Sequence, residues 1–230
     1  MIVRKKFRVE SAHIVRNCTS HRCSHSIHGH SAVVELFLTS DKLDNAGMVY
    51  DFGLLKGSVK DFIDSMDHTY LLCDKDSDEF RNFVKSNCAR WIEMPFNPSA
   101  ECLAMFIHAY VNDILACTQK NNGEGNIRVV AVRYHETESG YAESSIDDLN
   151  TLWNPAWGAC TFSAGIINDW GDELKAIFNG QIVANPTVTQ QIDLTIPTAA
   201  EDQTEENVEQ PSEMEDMSSP SNNEEVKKEA

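Results

Sequence analysis

The chain is 230 residues long, 41% hydrophobic and 24% charged, with a formal net charge of −17. That length holds one ordinary domain with extensions or two small ones, and so acidic a balance, with no basic stripe, argues against general nucleic-acid binding. No run of about 18 apolar residues marks a membrane-spanning helix, the opening MIVRKK lacks the apolar stretch of a secretory signal, and the cysteines at 18, 23, 73, 88, 102, 117 and 160 suit reduced thiols in a cytoplasm better than a disulfide framework.

Residues 1–13 read as a strand, with Ile2, Phe7 and Val9 among basic and polar neighbours, and Ser31–Thr39 (SAVVELFLT) as a second strand rich in β-branched side chains. Asp41–Gly47 supplies turn residues. Asp51–Asp64 reads as a helix, because Leu54, Leu55, Val59, Phe62, Ile63 and Met66 recur at helical spacing despite two glycines. A short helix is expected over Asp78–Lys85 and a brief strand over Trp91–Met94. Asn97 as cap and Pro98 in the first turn open a longer helix to about Cys117, which Asn121–Gly125 breaks. Ile127–Tyr134 is a third long strand and Tyr141–Glu143 a short fourth.

The order ββ, helices, ββ predicts an α+β domain over 1–145, an antiparallel sheet with its helices on one face. Beyond residue 146 the periodicity fades. Trp153, Trp157, Phe162 and Trp170 are candidates to pack back on the domain, with a short helix near Asp169–Phe178. Residues 146–198 are therefore expected to be a partly ordered extension. From Ala199 the chain carries eleven acidic and two basic residues and almost no large apolar side chains, so 199–230 is expected to be a disordered tail.

The chemistry concentrates near the N-terminus. Five of the eight histidines fall within residues 13–30. His28 and His30 are two apart, a spacing that puts both on one face of a strand, and His13 ends the first strand. Three imidazoles with no fourth protein ligand is the pattern of a catalytic zinc with one open position, whereas a structural zinc is closed by four ligands and no CxxC occurs here. Iron or nickel also accepts three nitrogens.

Four further pieces follow in order. Asp67-His68 sets a carboxylate beside an imidazole, an arrangement suited to proton transfer, though the dipeptide by itself reads as a turn at a helix end. Gly47–Phe52 (GMVYDF) alone is a turn into a helix. Pro98-Ser99-Ala100-Glu101 alone is a helix start. Glu136, in HET at the end of the third long strand, is placed to grip the edge of an amidine-like heterocycle, or is simply a solvated edge charge.

Taken in order, SAH, HRC, HGHS, GMVYDF, MDHTYL, PSAE and ETxxGY resemble the superfamily of 6-pyruvoyl- and 6-carboxytetrahydropterin synthases over residues 1–145. The resemblance implies a tunnelling fold, an antiparallel ββααββ unit assembled into an oligomeric barrel with zinc sites between subunits. It makes His13, His28 and His30 the zinc ligands and Cys23 the general base, with Cys18 as rival. Asp67 and His68 complete the proton relay, and Glu136 anchors the pterin. Glu101 either lines the pterin pocket or only caps. The HRC…HGHS segment and MDHTYL favour the 6-carboxytetrahydropterin branch, whose reaction turns 7,8-dihydroneopterin triphosphate into 6-carboxy-5,6,7,8-tetrahydropterin, acetaldehyde and triphosphate on the way to queuosine. The alternatives are the pyruvoyl branch and, in another class, an inactive pterin-binding protein. A small-molecule substrate, a homo-oligomer, a cytoplasmic setting, and no nucleic-acid or membrane partner complete the expectation.

Overall fold

Two long strands set the frame. In the computed structural model, which describes residues 1–189, β1 (Ile2–His13) pairs antiparallel with β2 (His28–Thr39), from Ile2 opposite Thr39 to His13 opposite His28. β2 starts at His28 rather than the expected Ser31, so both histidines of the HGH run lie in regular strand. Gly29 allows the close pairing there, because a Cβ on it would stand 3.1 Å from the Ser11 carbonyl oxygen.

A short helix α1 (His21–His25) fills the connection between these strands. The helix expected over 51–64 is divided. A 3-10 turn (Leu54–Lys56) and α2 (Ser58–Asp64) meet at Gly57, whose φ of −85° and ψ of −126° leave the helical region. Next come β3 (Thr69–Cys73), α3 (Asp78–Asn87), β4 (Trp91–Met94), α4 (Ala100–Ala116), β5 (Thr118–Gln119), β6 (Arg128–His135) and β7 (Tyr141–Ser145). The N-cap of α4 is Ser99, whose hydroxyl accepts from the Cys102 N–H, and not Asn97. Asn97 instead exchanges hydrogen bonds with the Arg16 backbone, accepting its N–H at 2.9 Å and donating to its carbonyl at 2.6 Å.

After β7 the chain forms α5 (Ile146–Thr151), a 3-10 turn (Pro155–Gly158), β8 (Thr161–Phe162), α6 (Ala164–Asp169), α7 (Asp172–Phe178) and β9 (Val183–Ala184). The main sheet has the order β7-β6-β2-β1-β3-β4-β8. Its β7, β6, β2 and β1 are the expected antiparallel unit. Sequence reading missed β3, which joins β1 and β4 in parallel and carries the sheet past that unit. All five of its residues (TYLLC) are buried, so no alternation marks it.

The core lies between the sheet and α2 and α4. Val9, Ala32, Val34, Leu36 and Leu38 from the strands meet Phe62, Ile63, Leu103, Phe106 and Ile107 from the helices. Each of these side chains larger than alanine contributes about 1.5–3 kcal/mol by leaving water. The expectation of helices on one face holds for these two. It fails for α3, whose Val84 and Phe80 pack on Tyr70 and Leu72, the opposite face of β3.

The extension is built into this core. Trp170 is buried and its indole N–H donates to Ser65 Oγ at 2.7 Å. Trp153 and Trp157 lie against Phe96 with ring centroids 6.3 and 5.4 Å away. β8 pairs with β4 and extends the sheet edge. Among the described residues no helix is long and apolar enough to cross a membrane, and all seven cysteines are free. The expected acidic tail, with residues 190–198 before it, lies outside the described residues.

Candidate metal centre and active site

The β1–β2 register assembles the three histidines. His13 stands opposite His28, and Ser11 opposite His30, so the three side chains emerge on one face at the end of the ladder. Their ligand atoms all lie within 4.8 Å of one another. The ring centroids are 4.7, 5.2 and 5.1 Å apart.

Backbone carbonyls select the tautomers. His13 Nδ1–H donates to the Pro98 carbonyl at 2.8 Å, and His28 Nδ1–H to the Ser26 carbonyl at 2.9 Å. In each ring the Nε2 lone pair is then left free, the outer support a metal-ligating imidazole needs. Burial, partly offset by the Pro98 bond and reinforced by His28 and His30, pushes His13 down to about 4. At neutral pH it is therefore a neutral ring able to ligate.

His13 Nε2 and His30 Nε2 are buried with no hydrogen-bond partner. Glu136 Oε1 stands 3.5 Å from each of them. Two buried ring nitrogens and a carboxylate oxygen thus converge with no hydrogen bond among them. A buried unsatisfied polar atom costs about 1–3 kcal/mol, and a divalent cation removes that cost for both nitrogens at once. Three imidazoles fit zinc with a position left open.

The other expected site residues fall around this centre. Cys23 sits in α1, half-buried; its carbonyl accepts the Val15 N–H at 2.9 Å, which ties α1 to the end of β1. Among the described residues Cys23 Sγ makes no hydrogen bond, whereas Cys18 Sγ donates to the Ser20 carbonyl at 3.3 Å. Asp67 and His68 follow α2. Asp67 Oδ1 accepts the Glu10 N–H at 2.7 Å, and His68 Nδ1 donates to Asp67 Oδ2 at 2.9 Å. Burial alone would raise the Asp67 carboxyl, but the Glu10 amide, His68 and Arg90 together hold it below the usual carboxylate range. The ring of His68 is solvent-exposed and its φ is +51°. His30 and His68 both line one cleft of about 640 Å³, with Glu10, Ser31 and Tyr70. Glu101 is exposed in the first turn of α4 and forms no hydrogen bond or ion pair with these groups.

One chain thus brings His13, His28, His30 and Glu136 together, but leaves Cys23 without a bond to them. Sequence reading missed the roles of the Pro98 and Ser26 carbonyls. Backbone groups carry no residue-type signal, and Asn97-Pro98 reads only as a helix start.

Known proteins bear on this arrangement. The family model described as 6-pyruvoyl tetrahydropterin synthase matches residues 2–146. A protein of Helicobacter pylori strain J99 named 6-carboxy-5,6,7,8-tetrahydropterin synthase is 40% identical over 179 residues, covering 75% of this chain and 88% of its own length. Its counterpart in H. pylori strain 26695 is 40% identical over 185 residues, covering 78% and 90%. The like-named protein of Aquifex aeolicus is 29% identical over 157 residues, covering 61% and 95%. The three-histidine end of the β1–β2 ladder therefore sits inside a match that takes in most of the chain, and the chain belongs to the 6-pyruvoyl tetrahydropterin synthase family.

Proposed function

We propose that the protein is a zinc-dependent carbon–carbon lyase that converts 7,8-dihydroneopterin triphosphate to 6-carboxy-5,6,7,8-tetrahydropterin, releasing acetaldehyde and triphosphate, a step toward 7-deazaguanine and queuosine. The observation that carries the metal is the pair of buried, unpartnered Nε2 atoms of His13 and His30 facing Glu136. The substrate is supported by the name of the H. pylori relatives, which align over about nine-tenths of their own length.

His13, His28 and His30 hold the ion. Zinc supplies a Lewis acid that polarises side-chain oxygens of the substrate and acidifies the adjoining C–H. Cys23 takes that proton as general base. The Asp67–His68 pair returns one from the other side, the aspartate orienting the ring through Nδ1 and leaving Nε2 to exchange the proton. Glu136 anchors the pterin through paired hydrogen bonds to its amidine-like edge, and Glu101, exposed in the first turn of α4, either lines the same pocket or serves only the helix start. We place the complete site between subunits of a homo-oligomer, as the resemblance to the pterin synthases implies; within its own chain Cys23 Sγ forms no hydrogen bond to the three histidines.

The test is incubation of zinc-loaded full-length protein with 7,8-dihydroneopterin triphosphate, with products read by mass spectrometry. The carboxypterin with acetaldehyde supports the proposal. The pyruvoyl product moves the chain to the branch whose description the family model carries. Absence of turnover at about one zinc per chain leaves a pterin-binding role.

A further inference from the structure

We propose that Arg90, with Asp169 and Trp170 of the C-terminal extension, positions the Asp67–His68 pair, so that the extension is a working part of the active site rather than an appendage. The inference rests on the reading that Asp67 and His68 carry proton transfer.

His68 is a non-glycine residue in the left-handed region, with φ of +51°. Such a conformation is strained and persists only where the surroundings over-determine it. Arg90 supplies much of that determination. Its guanidinium donates from Nε to the Asp67 carbonyl at 3.0 Å and from Nη2 to the Asp64 carbonyl at 2.8 Å. Its own carbonyl accepts the Tyr70 N–H at 3.1 Å, just past the turn. One residue therefore grips both sides of the pair, its guanidinium holding the two carbonyls before His68 and its backbone carbonyl the amide after it, and a planar fork suits the first task as an ammonium does not.

The extension in turn holds the arginine and the turn. Asp169 forms an ion pair with Arg90 Nη1. Trp170 donates to Ser65 Oγ at 2.7 Å, in a buried bond, and the Gly171 N–H donates to Asp61 Oδ2 at 3.0 Å. α6 lies so close to the strand entry that a Cβ on Gly165 would stand 2.4 Å from the Ala89 carbonyl oxygen. Ser163 and Trp91 complete the seam, the Ser163 N–H donating to the Trp91 carbonyl at 3.0 Å and the Trp91 N–H to Ser163 Oγ at 3.2 Å. None of these groups forms a hydrogen bond or ion pair with the three histidines, so their removal is separable from metal binding.

The experiment uses zinc-loaded full-length protein and the variants Arg90→Lys, Trp170→Phe, Asp169→Ala and Asp169→Glu. It reads amide exchange over residues 64–70 by mass spectrometry, bound zinc, and kcat and KM with 7,8-dihydroneopterin triphosphate. Arg90→Lys and Trp170→Phe are expected to speed exchange in that segment about tenfold or more. They lower kcat by up to about 100-fold, the scale of a small misplacement of catalytic groups, with KM within about threefold and zinc unchanged. Asp169 is more exposed, so Asp169→Ala costs only about two- to fivefold in kcat, and Asp169→Glu restores it. Unchanged exchange overturns the proposal, as does faster exchange with unchanged kcat, or loss of zinc in step with activity. If Arg90→Lys does not fold, the Asp169 pair decides. If the wild-type protein does not turn this substrate over, the functional reading fails, and exchange alone judges the brace.

Discussion

Removing the metal tests the centre most directly. His13 Nε2 and His30 Nε2 are buried without partners. At about 1–3 kcal/mol each, satisfying both stabilises the fold by about 2–6 kcal/mol. The middle of that range matches linkage, where free zinc at 1,000 times Kd contributes about 4 kcal/mol. For a domain of this size each kcal/mol moves Tm by about 2–4 °C, so zinc is expected to raise Tm by about 8–16 °C over chelated protein. Calorimetric scans in excess chelator and in micromolar zinc measure it. The shift disappears in His13→Ala, His28→Ala and His30→Ala, and survives in His21→Ala and His25→Ala, whose rings stack on each other in α1 at 4.3 Å. A zinc response equal in wild type and His28→Ala would refute the assignment, as would none in wild type.

Cys23→Ala is expected to keep zinc and Tm but lose turnover, while Cys18→Ala stays active; the reverse pattern in a steady-state assay makes Cys18 the base. Glu136→Gln keeps one hydrogen bond to the pterin edge and loses the charge-assisted character of the pair, worth about 1.5–3 kcal/mol; KM rises about 10- to 100-fold with zinc retained, and an unchanged KM removes Glu136 from the pterin. His108 is fully buried, its Nε2–H donating to the Val129 carbonyl and its Nδ1 accepting from Ser144, both at 3.0 Å, and burial holds it below the usual histidine range. The folded ring is neutral while the unfolded ring gains a proton below about pH 6.5, so the stability it contributes is present above that pH and lost as pH falls. His108→Gln should shrink the drop in urea midpoint between about pH 7 and 5.5; an identical drop contradicts the assignment.

What could be read from the chain was what repeats locally. Alternation marked β1, β-branched and aromatic content marked most of β2, and a helical stripe marked α4, whose cap is Ser99 rather than the expected Asn97. The two-residue spacing of His28 and His30 put both rings on one face without any knowledge of the partner strand. Local pattern determines a side chain's face because the backbone repeat is short. It was weakest where burial removes the pattern, as in the wholly buried β3, and where one residue broke it, as at Gly57.

The tertiary structure decided what local pattern cannot carry. His13 has its tautomer selected by a carbonyl 85 residues away. Glu136 meets His13 and His30 only because β6 pairs with β2, with His135 opposite Val33. The left-handed turn at His68 is held by Arg90 and, through it, by Asp169 in a segment where sequence periodicity had faded. Such contacts depend on which distant loops close together. That follows from the total apolar surface buried and the polar groups satisfied across the whole fold, and no window of the sequence contains that sum.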